Sequence, residues 1–398
     1  MNKRILILCE AIAPPALSPR VITLIEWLQN NGWEWVLITE ECAEHPFHTD
    51  VCLNYQMPVY THTLLDKLYW GKDKALYQFA KQKVDISRFD IIFCSTYYYF
   101  PLYAAHLLSQ EYRIPLAVDL RDIAEQWGDI CYFTRTITPF KKLNYWIGKL
   151  YERRQLRRRN QILHSANIVT TVSPWHKNLL AQYNKNTHLI YNGYDANTFM
   201  PQDIACDKFY ITYLGKLYST LLRDPRLLFE SLRQLYEEEL IDTKLVRVLF
   251  HTDTKGIEEI KCLGEQYQIS PMLELNGYVP RQEILPIMHK SSILLVLTSK
   301  STPNGTHGIM GTKFFENIGV EKPILCVRSD EECLADTIAN THAGLAATNI
   351  EDVKTFILEK YQEWKTRGYT RQPVINKEQF TRQHEAKQFE QLFEQCIQ

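Results

Sequence analysis

The stretch GIMGTKFFENIGVEKPIL, residues 308–325, places two glycines before a short helical pattern and a proline before an apolar run. Gly308 and Gly311 precede the pattern, Lys313 and Glu316 fall on one of its faces, and Pro323 leads into Ile324 and Leu325. A helix followed at once by a short, wholly apolar strand is half of a βαβ unit. The strand is therefore expected inside a parallel sheet, buried on both faces.

The same alternation runs outward in both directions. In the first half RILILC, WEWVLITE, DIIFCS, PLAVDL and ANIVTTVS read as strands. VITLIEWLQNNG, the segment from Leu102 to Gln110, and PWHKNLLAQYN read as the helices between them. IYNGYDANTF interrupts the rhythm, because Asn-Gly marks a tight turn and Asp195 can cap the next one. The rhythm then restarts with FYITYLG, LVRVLFH, MLELNG, SILLVLT and KPILCV. The expectation is an α/β protein of two Rossmann-like, doubly wound parallel-sheet domains whose strand ends face a central crevice, the place where such folds bind ligands. The expected boundaries are 1–195, 196–378 and a tail at 379–398. In the tail Phe389, Leu392, Phe393 and Cys396 form one helical stripe that needs a surface to cover.

Composition bounds the function. The chain has 398 residues, 45% of them hydrophobic, enough for two domains with real cores. A net charge of -1 offers no global attraction to nucleic acid. Ten cysteines are scattered without a C-x-x-C pair, which argues against a disulfide framework or a zinc site and for a reducing, cytoplasmic setting. In MNKRILILCEAIAPP the charge of Glu10 comes too soon for a secretory core, and no apolar run approaches the ~18 residues of a membrane span.

One region departs from this neutrality. Between Arg135 and Arg159 the sequence holds nine Lys or Arg and one acid, with Phe140, Tyr145, Trp146, Ile147, Leu150 and Leu156 interleaved. The residues allow a basic aromatic helix lying on an anionic membrane surface, a solvated helix whose apolar stripe packs on its own domain, or, third, an RNA-binding patch, against which the lack of an accompanying nucleic-acid module argues.

PPALSPR, VDLRD, TTVSPWHKNLL, IYNGYDANTF, YLGKLY, LNGYVPRQEILPIMHKSSILLVL and GTKFFENIGVEKPIL, in this order and spacing, give the chain a resemblance to the GT-B glycosyltransferases. It is most similar to the retaining family 4 group of bacterial surface polysaccharide biosynthesis. The resemblance implies a nucleoside-diphosphate-sugar donor held mostly by the second domain, a terminal helix crossing back to the first, and no cofactor. It implies retaining, metal-independent transfer to a glycan acceptor, lipid-linked at the cytoplasmic face of the membrane, and it favours the membrane reading of the basic segment. A sugar-nucleotide epimerase of the same fold and a non-catalytic sugar-nucleotide-binding protein are the alternatives.

The candidate residues follow from the chemistry of such a donor. A diphosphate is suited by a helix N-terminus that glycines leave open, here Gly308, Gly311 and Thr312. A ribose diol is suited by a carboxylate, and the resemblance assigns this role to Glu316, with Lys313 beside it. Where the family commonly has a second acid, eight residues earlier, this chain has Gly308, and His307 is the neighbouring candidate for the donor sugar. Charge building on a leaving diphosphate needs cations. The metal-binding D-x-D signature does not occur, so Lys216 and, more distantly, Arg223 are the candidates. Asp119, Arg121 and Asp122 end a first-domain strand and are candidates for contacting the acceptor or the transferred sugar, with Ser18 and Arg20 in the first loop. The bland reading of these groups is a buried Asp-Arg pair and solvated loop charges.

Overall fold

The structure is a computed structural model that describes residues 3–10, 12, 18–40, 47, 53–58, 69–128, 139–298, 302–328 and 333–397. The chain divides into two compact units, Met1–Asn192 with Arg382–Gln398, and Gly193–Thr381. The division falls inside the Asn-Gly turn of IYNGYDANTF.

In the first unit the elements run β1 (Arg4–Cys9), α1 (Pro19–Asn30), β2 (Glu34–Glu40), β3 (Leu53–Met57), α2 (Gly71–Lys83), β4 (Ile91–Thr96) and α3 (Leu102–Tyr112). They continue with β5 (Leu116–Leu120), α4 (Lys141–Ser165), β6 (Ile168–Thr171), α5 (Pro174–Leu180) and β7 (Thr187–Leu189). The sheet is parallel, in the order β3-β2-β1-β4-β5-β6-β7. Its central strands are buried on both faces, which is why RILILC and IIFCST carry no polar alternation.

In the second unit β8 (Phe209–Leu214), α6 (Arg226–Glu237), β9 (Val246–His251), α7 (Thr254–Gln266), β10 (Leu273–Asn276) and α8 (Arg281–Lys290) come first. β11 (Ile293–Leu297), α9 (Thr312–Val320), β12 (Ile324–Val327), α10 (Cys333–Thr341), β13 (Gly344–Ala347) and α11 (Ile350–Arg367) complete it. Six parallel strands run in the order β10-β9-β8-β11-β12-β13. Each sheet changes direction once, between β1 and β4 and between β8 and β11, and a cleft opens at the carboxyl ends of strands at such a point.

The terminal helix α12 (Arg382–Ile397) returns to the first unit and packs along α1. Phe389 and Phe393 are buried against Phe93, with ring centres 5.3 and 5.2 Å away, and Phe393 meets Trp33 edge-on. The indoles of Trp27 and Trp33 both donate to Glu390, so the polar edges of this aromatic layer are satisfied as well. No helix among the described residues is long and apolar enough to cross a membrane.

Candidate functional site

A cavity of about 380 Å³ opens at the switch point of the second sheet. Its floor is the apolar end of β11, from Leu294 to Leu297, with Met288 of α8. Its rim is polar: Gly215, Lys216, Tyr218 and Arg223 follow β8, and Gly311, Thr312, Lys313, Glu316 and Asn317 belong to the start of α9. The fold thus brings together Lys216, Arg223, Gly311, Thr312, Lys313 and Glu316, six of the residues singled out from the sequence.

The loop after β8 is held from several sides. The Gly215 amide donates to the His251 carbonyl at 3.0 Å, and the Leu217 amide donates to Thr252 Oγ1 at 3.1 Å. The Tyr213 hydroxyl donates to the Lys216 carbonyl at 3.0 Å. Gly215 has φ +154°, where a side chain strains the backbone. The space a side chain there would take is bounded by the Lys313 Nζ and the Tyr213 hydroxyl, each 3.7 Å from an added Cβ. The Lys216 ammonium lies 5.1 Å from the centre of the Tyr218 ring, and Arg223 Nη1 donates to the Leu297 carbonyl at 3.1 Å. Tyr213 and Tyr218 are not among the residues singled out from the sequence. Tyr218 takes a left-handed φ of 61°, which a residue of its type rarely signals.

Helix α9 begins at Gly311 without a side-chain cap, and a Cβ on Gly311 would meet nothing within 4 Å. Among the described residues no side chain caps its first amide groups, which carry the positive end of the helix dipole. Lys313 and Glu316, three residues apart, sit on its accessible face, while Phe314, Phe315 and Ile318 are buried beneath. Crowding by the walls lowers the Lys313 pKa, and Glu316 partly offsets this. Gly319, at the far end of the helix, lets the IYNGYDANTF segment approach: an added Cβ would lie 2.6 Å from Tyr194 and 2.9 Å from Phe199. Gly308 is buried with φ +65°, and His307 is half-buried. Neither lines the cavity, which takes Ile309 from that loop instead.

In the first unit the expected cluster separates into two. Asp119 is fully buried and accepts four hydrogen bonds, from Ser95 at 2.9 Å, Thr170 at 2.7 Å and two Arg20 nitrogens at 3.1 Å. Arg20 also donates to the Ile190 and Tyr191 carbonyls, pairs with Glu385 of α12 and covers the Phe389 ring at 4.8 Å. Asp119 and Arg20 therefore bind β4, β5, β6, α1, the segment just after β7 and α12 together and have no face left for a substrate. This corrects the expectation of a contact with acceptor or sugar. Glu385 is pushed up to about 7 by burial, with Arg20 opposing the shift and Asp119 reinforcing it.

Arg121 and Asp122, two and three residues on, lie beyond the end of β5 beside the ends of β1 and β4. Arg121 Nη1 donates to Ser18 Oγ at 2.5 Å, and its guanidinium covers the Tyr97 ring at 3.8 Å. Glu10 is 3.9 Å from Nη2, while among the described residues Nε and Nη2 make no hydrogen bond although Arg121 is buried. Asp122 accepts from Gln126 at 3.2 Å and is raised to about 6 by burial, which outweighs Gln126 and Arg121. Ser18, Arg121 and Asp122 thus remain at the switch point of the first sheet.

The basic segment forms α4 from Lys141 onward, while its first residues, Arg135–Thr138, lie outside the described residues. Phe140, Trp146 and Leu150 are 69, 61 and 63% exposed, so the apolar residues at its start do not pack on the domain. Arg159 corrects the expectation in the other direction. It is 1% exposed and makes two hydrogen bonds to Glu125, at 2.8 and 2.6 Å, so it belongs to the interior. Arg153, Arg154 and Arg157 are exposed, and Arg158 is half-buried.

Residues 18–198 match the profile of Glycosyltransferase Family 4. Similar solved structures include a glycosyltransferase from Rickettsia africae ESF-5 (13% identity, TM-score 0.67, covering 100% of this chain and 99% of that one). Sucrose-phosphate synthase from Thermosynechococcus elongatus is another (14%, 0.63, 99% of each chain). Anabaena Alr3699/HepE in complex with UDP and glucose is a third (14%, 0.63, 99% of this chain and 100% of that one). At these identities the likeness shows the fold. A search of curated protein sequences matches nothing. The family match thus covers residues 18–198, a little under half of the chain, and the structural likeness shows the two-domain GT-B fold over its length.

Proposed function

We propose that this protein transfers a sugar from a nucleoside-diphosphate sugar to a glycan acceptor, with the second unit holding the donor. The observation that carries the reading is the cavity at the second switch point, where three cations, an uncapped helix start and one carboxylate meet over an apolar floor. The amides of Thr312 and Lys313 receive a diphosphate oxygen. Glu316 accepts from the ribose hydroxyls, and Lys216, Lys313 and Arg223 neutralise the charge that grows on the diphosphate as its bond to the sugar breaks. The cations present at the site carry this role in place of a metal ion. HepE, of the same fold, was solved in complex with UDP and glucose, which supports a nucleotide-sugar as the kind of donor.

Ser18, Arg121 and Asp122 take the acceptor side. Arg121 Nε and Nη2, which make no hydrogen bond among the described residues, offer donors to acceptor oxygens, and Asp122, raised to about 6, is poised to exchange a proton near neutrality. Retention of configuration and a role in surface polysaccharide synthesis are carried over from the family resemblance. The lipid-linked acceptor is supported by α4, whose exposed aromatic and basic residues suit an anionic membrane surface. The test is thermal denaturation with UDP-, GDP- and dTDP-sugars, followed by a transfer assay with the stabilising donor. A donor at a hundredfold excess over Kd stabilises by ~2.7 kcal/mol. Stabilisation by none of them, with no transfer, contradicts the reading.

A further inference from the structure

The groove beside α4 carries more chemistry than attraction to a charged surface requires. Trp70 and one face of α4 line an open groove of about 710 Å³. Ile147, Leu150 and Tyr151 line one end, and Arg153, Arg154, Arg157 and Arg158 line the other. Positions 147, 150, 154 and 158 recur at helical spacing, so the groove runs along one stripe of the helix. At 1.5 Å per residue its apolar and cationic ends, Leu150 and Arg157, are separated by about 10 Å.

The cationic end is preorganised. The Trp70 indole donates to Gln155 Oε1 at 2.7 Å, and Gln155 is buried. The Arg154 and Arg158 guanidinium carbons lie 5.2 and 4.5 Å from the indole ring centre, and Arg158 lies 4.6 Å from the Tyr103 ring. Stacking uses the flat face of a guanidinium, while its donors point outward in the plane, the direction in which it binds phosphate. Among the described residues Arg153, Arg157 and Arg158 have no carboxylate within ion-pair distance. Glu152, the one acid of the segment, pairs with Lys149.

We propose that this groove is a headgroup site for a phosphorylated lipid. The arginines take the phosphate or diphosphate, and Ile147, Leu150 and the exposed Trp146 take the first part of the hydrocarbon chain. A free phosphate would use only the cationic end and leave these apolar side chains in water. The proposal rests on the reading that α4 meets a membrane, but it claims a defined site where that reading needs only a charged surface.

The experiment compares charge-matched variants of the full chain. Arg154→Gln/Arg158→Gln removes two charges inside the groove, and Lys141→Gln/Lys142→Gln removes two outside it. Arg153→Gln/Arg157→Gln removes two from the groove while leaving the Trp70 stack intact, and so controls for misfolding. Each is titrated in solution with farnesyl diphosphate below its micellar concentration, with inorganic diphosphate and with farnesol, and each is floated with phosphatidylcholine vesicles with and without phosphatidic acid. The parent is expected to bind farnesyl diphosphate more than about tenfold tighter than either fragment. Both arginine variants lose this binding by a similar factor, while the lysine variant stays within about twofold. Equal losses in all three variants, or farnesyl diphosphate binding no tighter than diphosphate, overturn the site. Binding of the soluble amphiphile without vesicle flotation would leave the site standing and remove the membrane reading. Flotation of the parent with equal losses in all variants would do the reverse.

Discussion

The Lys313 ammonium lies alongside Gly215, 3.7 Å from where a Cβ would stand, so the end of β8 and the start of α9 meet through a residue without a side chain. Lys313 lies beside the loop of Lys216, and that loop turns at φ +154°, a backbone conformation open to glycine and strained for any other residue. The two lysines that the donor's diphosphate would meet are in this way set by one glycine.

Gly215→Ala therefore tests the meeting of the two elements. The added methyl would be in ordinary contact at 3.6 Å or more, so the cost is backbone strain, about 1–3 kcal/mol. Denaturant unfolding is expected to show that loss, and donor titration a weaker affinity, because the loop carrying Lys216 shifts to relieve the strain. Unchanged stability would mean that the loop does not hold this conformation.

Lys216→Ala separates binding from turnover. Charge on the diphosphate increases only as its bond to the sugar breaks, so the interaction is stronger in the transition state than in the bound donor. Transfer kinetics are expected to show kcat down by ~10²–10³, the range for removal of one stabilising group. Donor Kd should change far less. A loss confined to Kd would make Lys216 a ground-state contact.

Phe389→Ala tests the return of α12 to the first unit. The ring is fully buried against Phe93 and Phe393, and truncating such a side chain costs about 3–5 kcal/mol. Equilibrium unfolding measures it. A loss below ~1 kcal/mol would mean that α12 is not part of this core.

Glu385 gives the first unit a pH dependence of definite sign. Its pKa is raised to about 7 from 4.5, so between those values the folded state holds more protons than the unfolded one. Stability from this group is then present at low pH and is lost as pH rises through 7. His176, lowered to about 3 by burial, acts in the opposite direction below 6.5, so the informative quantity is the difference between the parent and Glu385→Gln. The variant should gain on the parent between pH 5 and pH 8, by on the order of 2–3 kcal/mol at most. A difference independent of pH would show that Glu385 is charged throughout.

What the sequence discloses tracks what the physics makes local. RILILC, FYITYLG and SILLVLT are legible as strands because central parallel strands are apolar on both faces. GLAA of β13 and THL of β7 are not, since small or polar three- and four-residue strands at sheet edges carry no such run. Charges are the least legible. Asp119 and Arg20 are 99 positions apart, and Arg159 and Glu125 are 34 apart, so nothing near either residue in sequence shows that its partner is inside the fold. In the cavity, Glu316, Lys313, Lys216 and Arg223 can be named from residue type and context, but their meeting depends on β8 and β11 being neighbours. The lining residues Tyr213 and Tyr218 read as ordinary strand and loop aromatics.

The most direct test is titration of the parent and Glu316→Gln with UDP and GDP compounds. The substitution keeps the shape of Glu316 and removes its charge, so the ribose contact should lose roughly 1.5–3 kcal/mol, the worth of a hydrogen bond to a charged group. Nucleoside diphosphate and nucleotide-sugar should weaken alike, since both carry the ribose. A 2′,3′-dideoxyribose analogue should bind parent and variant with similar, weak affinity, because an interaction already absent cannot be removed again. If Glu316→Gln binds the ribose compounds as tightly as the parent does, the second-unit cavity is not the donor site.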